Sequence, residues 1–353
     1  MHPVLNVARK EFLDHVMSKR FLILLAAMLV ISGISLMEGG QDYKEQLENY
    51  KETLSAIESG ALGVPPGYTP SKPSPLFIFT RMGFQIMTIG VILAIAMGFD
   101  LISGERERGS LKILLSHPLF RDDVINGKAL GGLLALSFAI LIIILLSVAV
   151  LLIFGIVPTI EDLFRIFVYA LLSILYLFVF FSISLMASVI MKNSTNALIL
   201  SLVLFITLSA FIPMISWQIT DKIVGEPPEP PKFKVVEIET VSTSSESDII
   251  PKPVEISDEE MQEYQKKMRE YWERRERVQE IFDLLDPSTN YQRLSSATLS
   301  PYYYTSSPFG EVEKKEGILE ILWTLWKNLV ALIVYPVVTY GVAYIKFMRM
   351  DVR

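Results

Sequence analysis

The chain has 353 residues, no cysteine and a formal net charge of -6, and 51% of its residues are hydrophobic; its mean hydropathy is +0.43 and its pI is near 5.3. So apolar a chain is a polytopic membrane protein, and its acidic balance argues against nucleic acid as a partner. Without cysteine there can be no disulfide, thiolate metal site or thiol nucleophile, and His2, His15 and His117 are too scattered to build a metal site.

Residues Pro3 to Arg20 place Val4, Leu5, Val7, Ala8, Phe12, Leu13 and Val16 on one side, with Arg9, Lys10, Glu11, Asp14 and Lys19 on the other. That period predicts an amphipathic helix lying flat in the interface and leading into the first span. A cleavable signal is not expected, because this charged segment precedes the first apolar run and no small-residue cleavage site follows it. Phe21 to Met37 then reads as the first span, near the short end of what crosses a hydrocarbon core of roughly 30 Å. Glu38 to Phe79 is polar and acidic, helical from Gln41 to Glu58 and then extended through Pro65, Pro66, Pro70, Pro73 and Pro75. A second span follows from Arg81 to Phe99. In it Gly90, Ala94 and Gly98 make a small-residue face suited to close helix packing, within the chain or across a dimer.

Between the second and third apolar runs lies a charge-dense island, FDLISGERERGSLKILLSHPLFRDDVINGK, from Phe99 to Lys128. A loop that only reverses direction does not need this length. Glu105, Arg106, Glu107 and Arg108 alternate in sign, Gly109 breaks the chain, and Ser110 can cap a short helix with Leu111, Leu114 and Leu115 on one face. Pro118 fixes its end. An apolar face of this kind needs cover, from headgroups, from loops of the same chain or from a soluble partner.

Gly127, Gly131 and Ala135 repeat the small spacing at the start of the third span, which runs to about Ile156. Pro158 to Asp162 is a tight turn, Leu163 to Met191 the fourth span, Lys192 to Asn196 a short connection and Ala197 to Trp217 the fifth span. Such short turns make these helices antiparallel neighbours. Asp221 to Gly317 differs in composition: a stiff proline lead-in, a strand from Phe233 to Val241, and a long helix from Ser257 to Leu285 with Ser257 and Glu260 as a capping box. The stripe of that helix, including Met261, Tyr264, Met268, Trp272 and Ile281, calls for burial against the first external loop or a second protomer. Trp323, Trp326 and Lys327 mark a membrane boundary, and Leu329 to Ile345 is the sixth span.

The expected fold is therefore all-α and polytopic: six transmembrane helices, an N-terminal amphipathic helix, and a small α+β external insertion between spans five and six. The expected divisions are 1–20 for the amphipathic helix, 21–217 for five spans with external loop 38–79 and island 100–128, 218–320 for the external domain, and 321–353 for the last span and tail. Arg9, Lys10, Lys19, Arg20, Arg106, Arg108, Lys112, Arg121, Lys128, Lys192, Lys346, Arg349 and Arg353 all fall on one side with six spans. By the positive-inside rule both termini and the island are cytoplasmic and the insertion is external.

The third, fourth and fifth spans carry no Asp, Glu, Lys, Arg or His over 129–156, 166–191 and 197–217. An ion-coupled carrier needs such groups or broken helices, and neither is evident. An intramembrane protease needs a Ser/His pair, paired aspartates or a metal cluster, which are missing too. The serines at membrane depth, such as Ser137, Ser147, Ser173 and Ser188, are expected to bond back to their own helices. No catalytic, cofactor or metal residues are assigned. Gly127 and Lys128 look like half of a phosphate-cradling loop, but its upstream Gly and following Ser or Thr are absent. Energy for uphill movement would have to come from another chain, docked at the island.

The run from Phe99 to Lys128 resembles the signature of permease subunits in the ABC-2 family of ABC transporters: an acidic-basic pair, Gly-Ser-Leu, Leu-Leu, Pro, Arg, then Gly-Lys entering the third span. Asn6 to Leu24, with Lys10, Glu11 and the Lys19-Arg20 pair, is similar to the family's amphipathic connecting helix. Six spans with a large external segment before the last also resemble the subgroup near the copper-maturation and sodium-efflux permeases, and LLDPSTNYQRLS, from Leu284 to Ser295, is loosely similar. The resemblance implies a multi-pass plasma-membrane exporter subunit, itself not an enzyme, that works as a homo- or heterodimer in membrane lipid. A separate ABC ATPase subunit would hold the ATP and Mg. Glu105, Arg106, Glu107, Gly109, Leu111, Leu114, Pro118 and Arg121 would meet that ATPase, while Gly90, Ala94, Gly98, Gly127 and Gly131 would serve helix packing. A competing expectation is an ATPase-coupled assembly or signalling protein whose external domain binds an external partner without transport.

Overall fold

The computed structural model describes residues 3–62, 70, 73–111, 120–231, 258–299 and 317–350. Residues Met1–Ala210 together with Leu284–Arg353 form one compact unit, and Phe211–Asp283 form a second. Six helices are long and apolar enough to cross a membrane, and no described residue is in a strand. The α+β character expected of the insertion is therefore unsupported; the Phe233–Val241 segment that suggested it lies outside the described residues, as does Ser257 of the expected capping box.

In the larger unit, α1 (Pro3–Val16) precedes α2 (Lys19–Glu58), whose first turn is capped by Ser18 Oγ accepting from Phe21 N at 3.2 Å. The expected first span and the expected external helix are one rod of 40 residues, about 60 Å long by helical rise. The second span begins in a short 3₁₀ turn, Pro75–Phe77, and continues as α3 (Ile78–Gln85), a π-helical segment (Ile86–Gly90) and α4 (Val91–Gly98). The hydropathy pattern does not distinguish that π segment from α-helix. Buried Gln85 ties the second span to the first: its amide oxygen accepts from Ser32 Oγ at 2.7 Å, and its amide nitrogen donates to the Ile31 carbonyl at 3.1 Å and to Ser35 Oγ.

After the short α5 (Ser103–Glu107), the third span is α6 (Arg121–Ile153) and the fourth is α7 (Ile160–Ile190). A reciprocal capping box starts α7, with Thr159 N donating to Asp162 Oδ2 at 2.9 Å and Asp162 N to Thr159 Oγ1 at 3.2 Å. Helix α7 is the hub of this unit: it packs against α4, α6, α8 (Ser194–Ile206), α11 (Pro287–Leu299) and α13 (Trp326–Met348), and Tyr176, Phe180 and Phe181 are fully buried. The glycine face of the second span lies against it. A Cβ on Gly90 would come 2.9 Å from Leu177 Cδ2, and one on Gly98 would come 2.8 Å from Ser184 Cβ. Helix α12 (Ile318–Thr324) leads into α13, which accommodates Pro336.

The smaller unit contains α9 (Ile212–Val224), which continues the fifth apolar helix after a π-helical segment (Thr207–Phe211), and most of α10 (Asp258–Leu284). Arg275 joins these two helices. It donates to Asp221 Oδ1 at 2.6 Å, and its guanidinium lies 5.6 Å from the Trp217 ring centre and 6.0 Å from that of Trp272. Trp272 and Ile281 of the α10 stripe remain exposed in the chain.

Candidate functional site

The charged island starts where the second span ends. Ser188 Oγ, near the end of α7, accepts from the backbone nitrogens of Ile102 and Ser103, both at 3.0 Å, and so supplies the orphan amides at the start of α5. Glu105, Arg106 and Glu107 follow within one turn and point in three directions.

Glu105 Oε1 accepts from Lys128 Nζ at 2.7 Å, and the same ammonium donates to Glu11 Oε1 of α1 at 2.8 Å. Lys128 is 1% exposed, so this is a buried ion triad binding the island, α1 and the third span together. Burial pushes the Glu11 carboxyl up, but the Lys128 ammonium, together with Lys10 and His15, more than offsets it and holds the group below the usual carboxylate range. Lys10 is pushed down by burial and up, by more in sum, by Glu11 and Asp14, which leaves it above its ordinary value. His15 is the reverse case: burial, helped by the Lys128 charge, outweighs the attraction of Glu11, Asp100 and Asp14 and favours the neutral ring, whose Nε2 is buried without a hydrogen-bond partner among the described residues.

Close glycine packing makes the triad possible. A Cβ on Gly127 would lie 2.5 Å from Val7 Cβ, and one on Gly131 would lie 2.6 Å from Glu11 Cβ and 2.8 Å from the Ala8 carbonyl oxygen. These two glycines admit α1 against α6, just as Gly90 and Gly98 admit α7 against the second span.

Arg106 donates to the Met191 and Val189 carbonyls at 3.0 and 3.2 Å, placing a cation on the last carbonyls of the fourth span. Glu107 accepts from Ser194 N at 3.1 Å and Ser194 Oγ at 2.7 Å, at the start of the fifth span, where an anion suits the helix dipole. Gly109 has φ +72°, a left-handed turn, and Leu111 is buried. Arg121 donates to the Met348 and Met350 carbonyls at 3.2 and 2.6 Å, at the end of α13. Leu114 and Pro118 lie outside the described residues. Glu105, Arg106, Glu107 and Arg121 are thus brought together as ties between helix ends of their own chain, and the exposed charges of the alternating run are Glu107 and Arg108.

Sequence reasoning missed the partners of these ties. Lys128 reads as one more positive flank, and nothing local connects it to a glutamate 117 positions earlier. It also misread several serines. Ser137 and Ser201 do bond back to their own helices, but Ser184 donates to the Ile95 carbonyl at 2.9 Å, and Ser188 serves the island.

A second polar cluster holds α11 at the opposite end of the spans. Asp286 caps α11 by accepting from Ser288 N at 2.9 Å and Thr289 N at 3.1 Å. The Tyr291 ring stacks on Tyr176 with centres 4.6 Å apart, and the Tyr291 hydroxyl bonds Ser173 Oγ at 2.8 Å. Asn328 of α13 donates to Asn290 Oδ1 at 2.8 Å, and buried Arg165 donates to the Thr298 carbonyl at 3.1 Å. Among the described residues no group of three or more His, Cys, Asp or Glu could hold a metal ion.

Comparison with known proteins agrees with this architecture. The family model described as ABC-2 family transporter protein matches residues 5–352. The chain is also similar to the probable ABC transporter permease protein NosY of Stutzerimonas stutzeri, 29% identical over 142 residues that make up 40% of this chain and 43% of that protein. The corresponding NosY protein of Pseudomonas aeruginosa is 28% identical over 142 residues, again 40% of this chain and 43% of the relative. The chain thus spans less than half the length of these curated relatives. With the match running through all six apolar helices and both packed ends, the chain belongs to the ABC-2 family of transporter proteins.

Proposed function

We propose that this chain is the permease subunit of an ABC exporter, worked by a separate ATPase subunit that docks on the island between residues 100 and 128. The observation that carries this reading is the ion triad. Glu105 on the island and Glu11 on α1 share one buried lysine at the head of the third span. A push on the island is therefore delivered to α1 and to a span at once, instead of being absorbed in a loop. The ties of Arg106 to the fourth span and Glu107 to the fifth extend the same connection.

In this reading the protein sits in the plasma membrane with both termini cytoplasmic, and residues 218–320 make an external domain. Two permease protomers act together: little of the fifth apolar helix is buried in the single chain, which suits a second copy beside it. ATP and Mg belong to the ATPase; ATP-driven closure of two ATPase subunits would shift the second and fifth spans and open a path between protomers. The π-helical segments at Ile86–Gly90 and Thr207–Phe211 fall in those same two spans, where a departure from α-geometry allows a local bend.

The test is purification of the tagged chain from its own cells in nanodiscs, as wild type, Glu105→Arg and Leu114→Asp. Wild type is expected to bring down an ATPase identified by mass spectrometry, and both variants to insert normally yet lose the ATPase or its coupling to transport in vesicles. Wild-type coupling and ATPase binding in both variants would refute the docking site. An ATPase partner with no transport of any vesicle-loaded candidate would favour the assembly or signalling reading.

A further inference from the structure

Beside the triad, a cleft of about 650 Å³ opens between α1, α2 and α4. Its rim and its floor differ in chemistry. The floor is apolar and comes from the first two spans: Phe21, Leu93, Ala96 and Met97. The rim is ionic, and most of its charges are paired: Lys10 with Asp14 at 3.4 Å, Arg20 with Asp100 at 2.7 Å, and Lys128 with Glu11 and Glu105. Lys19 and Arg108 line the same cleft and have no ion-pair contact among the described residues. His15, with its buried and unpartnered Nε2, lines it too.

The level of the cleft in the bilayer follows from α1. Leu5, Leu13 and Met17 are exposed on and just after this helix, and Leu22 and Ile23 are exposed at the start of α2. A helix that shows leucine outward while its charges gather beside a span lies at the headgroup boundary. The rim is then at phosphate depth and the floor at the depth of the first acyl carbons. Two unpaired cations above an apolar slot between membrane helices match an anionic headgroup with its chain attached; a soluble anion would leave the floor empty.

We propose that this cleft binds an anionic phospholipid of the leaflet on the side of the termini, its phosphate held by Lys19 and Arg108 and its proximal acyl chain lying along Phe21, Ala96 and Met97. The lipid would brace α1 against the first two spans beside the triad, whose Glu11, Glu105 and Lys128 line the same cleft. This binding requires no ATPase, so its failure and the failure of the transport reading are separate results.

The experiment uses the purified full chain in neutral detergent, with native mass spectrometry counting retained lipid after addition of dioleoylphosphatidylglycerol or dioleoylphosphatidylcholine. Wild type is expected to retain the anionic lipid in preference, with about a fivefold loss for each charge removed in Lys19→Ala and Arg108→Ala. Lys44→Ala/Lys51→Ala, with two charges removed beyond the cleft, should bind as wild type. Ala96→Phe, which fills the floor, should weaken retention while Lys19 and Arg108 remain. Equal retention of the two lipids, or unchanged retention in Lys19→Ala/Arg108→Ala, would overturn the proposal. So would displacement of the lipid by glycerol 3-phosphate at equal concentration, which would make the site one for a free phosphate ester. Protection of Lys19 from amine labelling by an ATPase subunit but by neither lipid would assign the cleft to protein instead.

Discussion

Towards each end of its membrane helices the chain packs one short helix alongside a span, α1 against α6 and α11 against α7, and the two are fastened by different chemistry. Helix α1 is held by a buried lysine between two glutamates, seated over glycines. Helix α11 is held mainly by neutral groups: stacked tyrosines, serine hydroxyls and an asparagine pair. The contrast concerns how a joint fails. In a buried triad every ion's lost hydration is offset by the others, so removal of one leaves the rest uncompensated. A neutral seam is a sum of small terms, and each can be lost separately.

The sharpest way to expose that difference is Lys128→Met. It leaves two buried carboxylates and should cost about 3–5 kcal/mol, read as a large fall in the thermal midpoint in detergent; a change no larger than that of a surface lysine would mean the triad is not buried as described. Next in size is Gly131→Val, whose side chain meets Glu11 Cβ and the Ala8 backbone. Overpacking there should cost about 1–3 kcal/mol and free α1 to proteolysis while α11 stays protected. At the other end Tyr291→Phe keeps the stack on Tyr176 and removes the bond to Ser173. A loss of about 0.5–1.5 kcal/mol is expected, and a double-mutant cycle with Ser173→Ala should recover most of it as coupling.

The smallest effect separates the ends by pH. Burial lowers the His15 pKa below its ordinary 6.5, so the undocked state takes up the proton first. The seating of α1 is then complete above about pH 6.5 and weakens as pH falls below that value. Glu11 is depressed below 4.5, so its contribution persists above that value and fades only in more acid solution. Protease protection of α1 should therefore decline as pH falls below about 6.5, and His15→Gln should flatten the decline. The α11 seam should not respond in that interval; an equal response at both ends would remove His15 as the cause.

Much of the frame was legible in the residues, because hydropathy runs and helix periodicity are local properties. The six apolar helices, the amphipathic start and the short turn before Ser194 all follow from them. Helix α11 was not legible as a buried element. Its sequence, PSTNYQRLSSATL, is too polar to read as core, and it is buried only because Tyr176, Ser173 and Asn328, distant in the chain, supply its polar groups with partners. In the island, the alternation of Glu105, Arg106 and Glu107 was visible but its targets were not. Those targets are a lysine on one helix and the ends of two others, and end-to-end geometry leaves no mark on composition. The unbroken continuation of α2 past Met37 was half legible, since the span and the polar helix were each evident but not their fusion.

That fusion makes α2 a lever. Its 40 residues include about 20 beyond the apolar stretch, a stiff arm of roughly 30 Å. If the helix tilts by about 10° at its membrane end, simple geometry carries the far tip through roughly 5 Å. The fulcrum lies near Gln85, whose buried amide grips Ser32 and Ser35 nearer the Lys19 end of the rod than the Glu58 end. A displacement too small to break a single hydrogen bond beside α1 would thus be magnified at Glu58, making that end of the helix the place where movement of the Lys19 end is easiest to see.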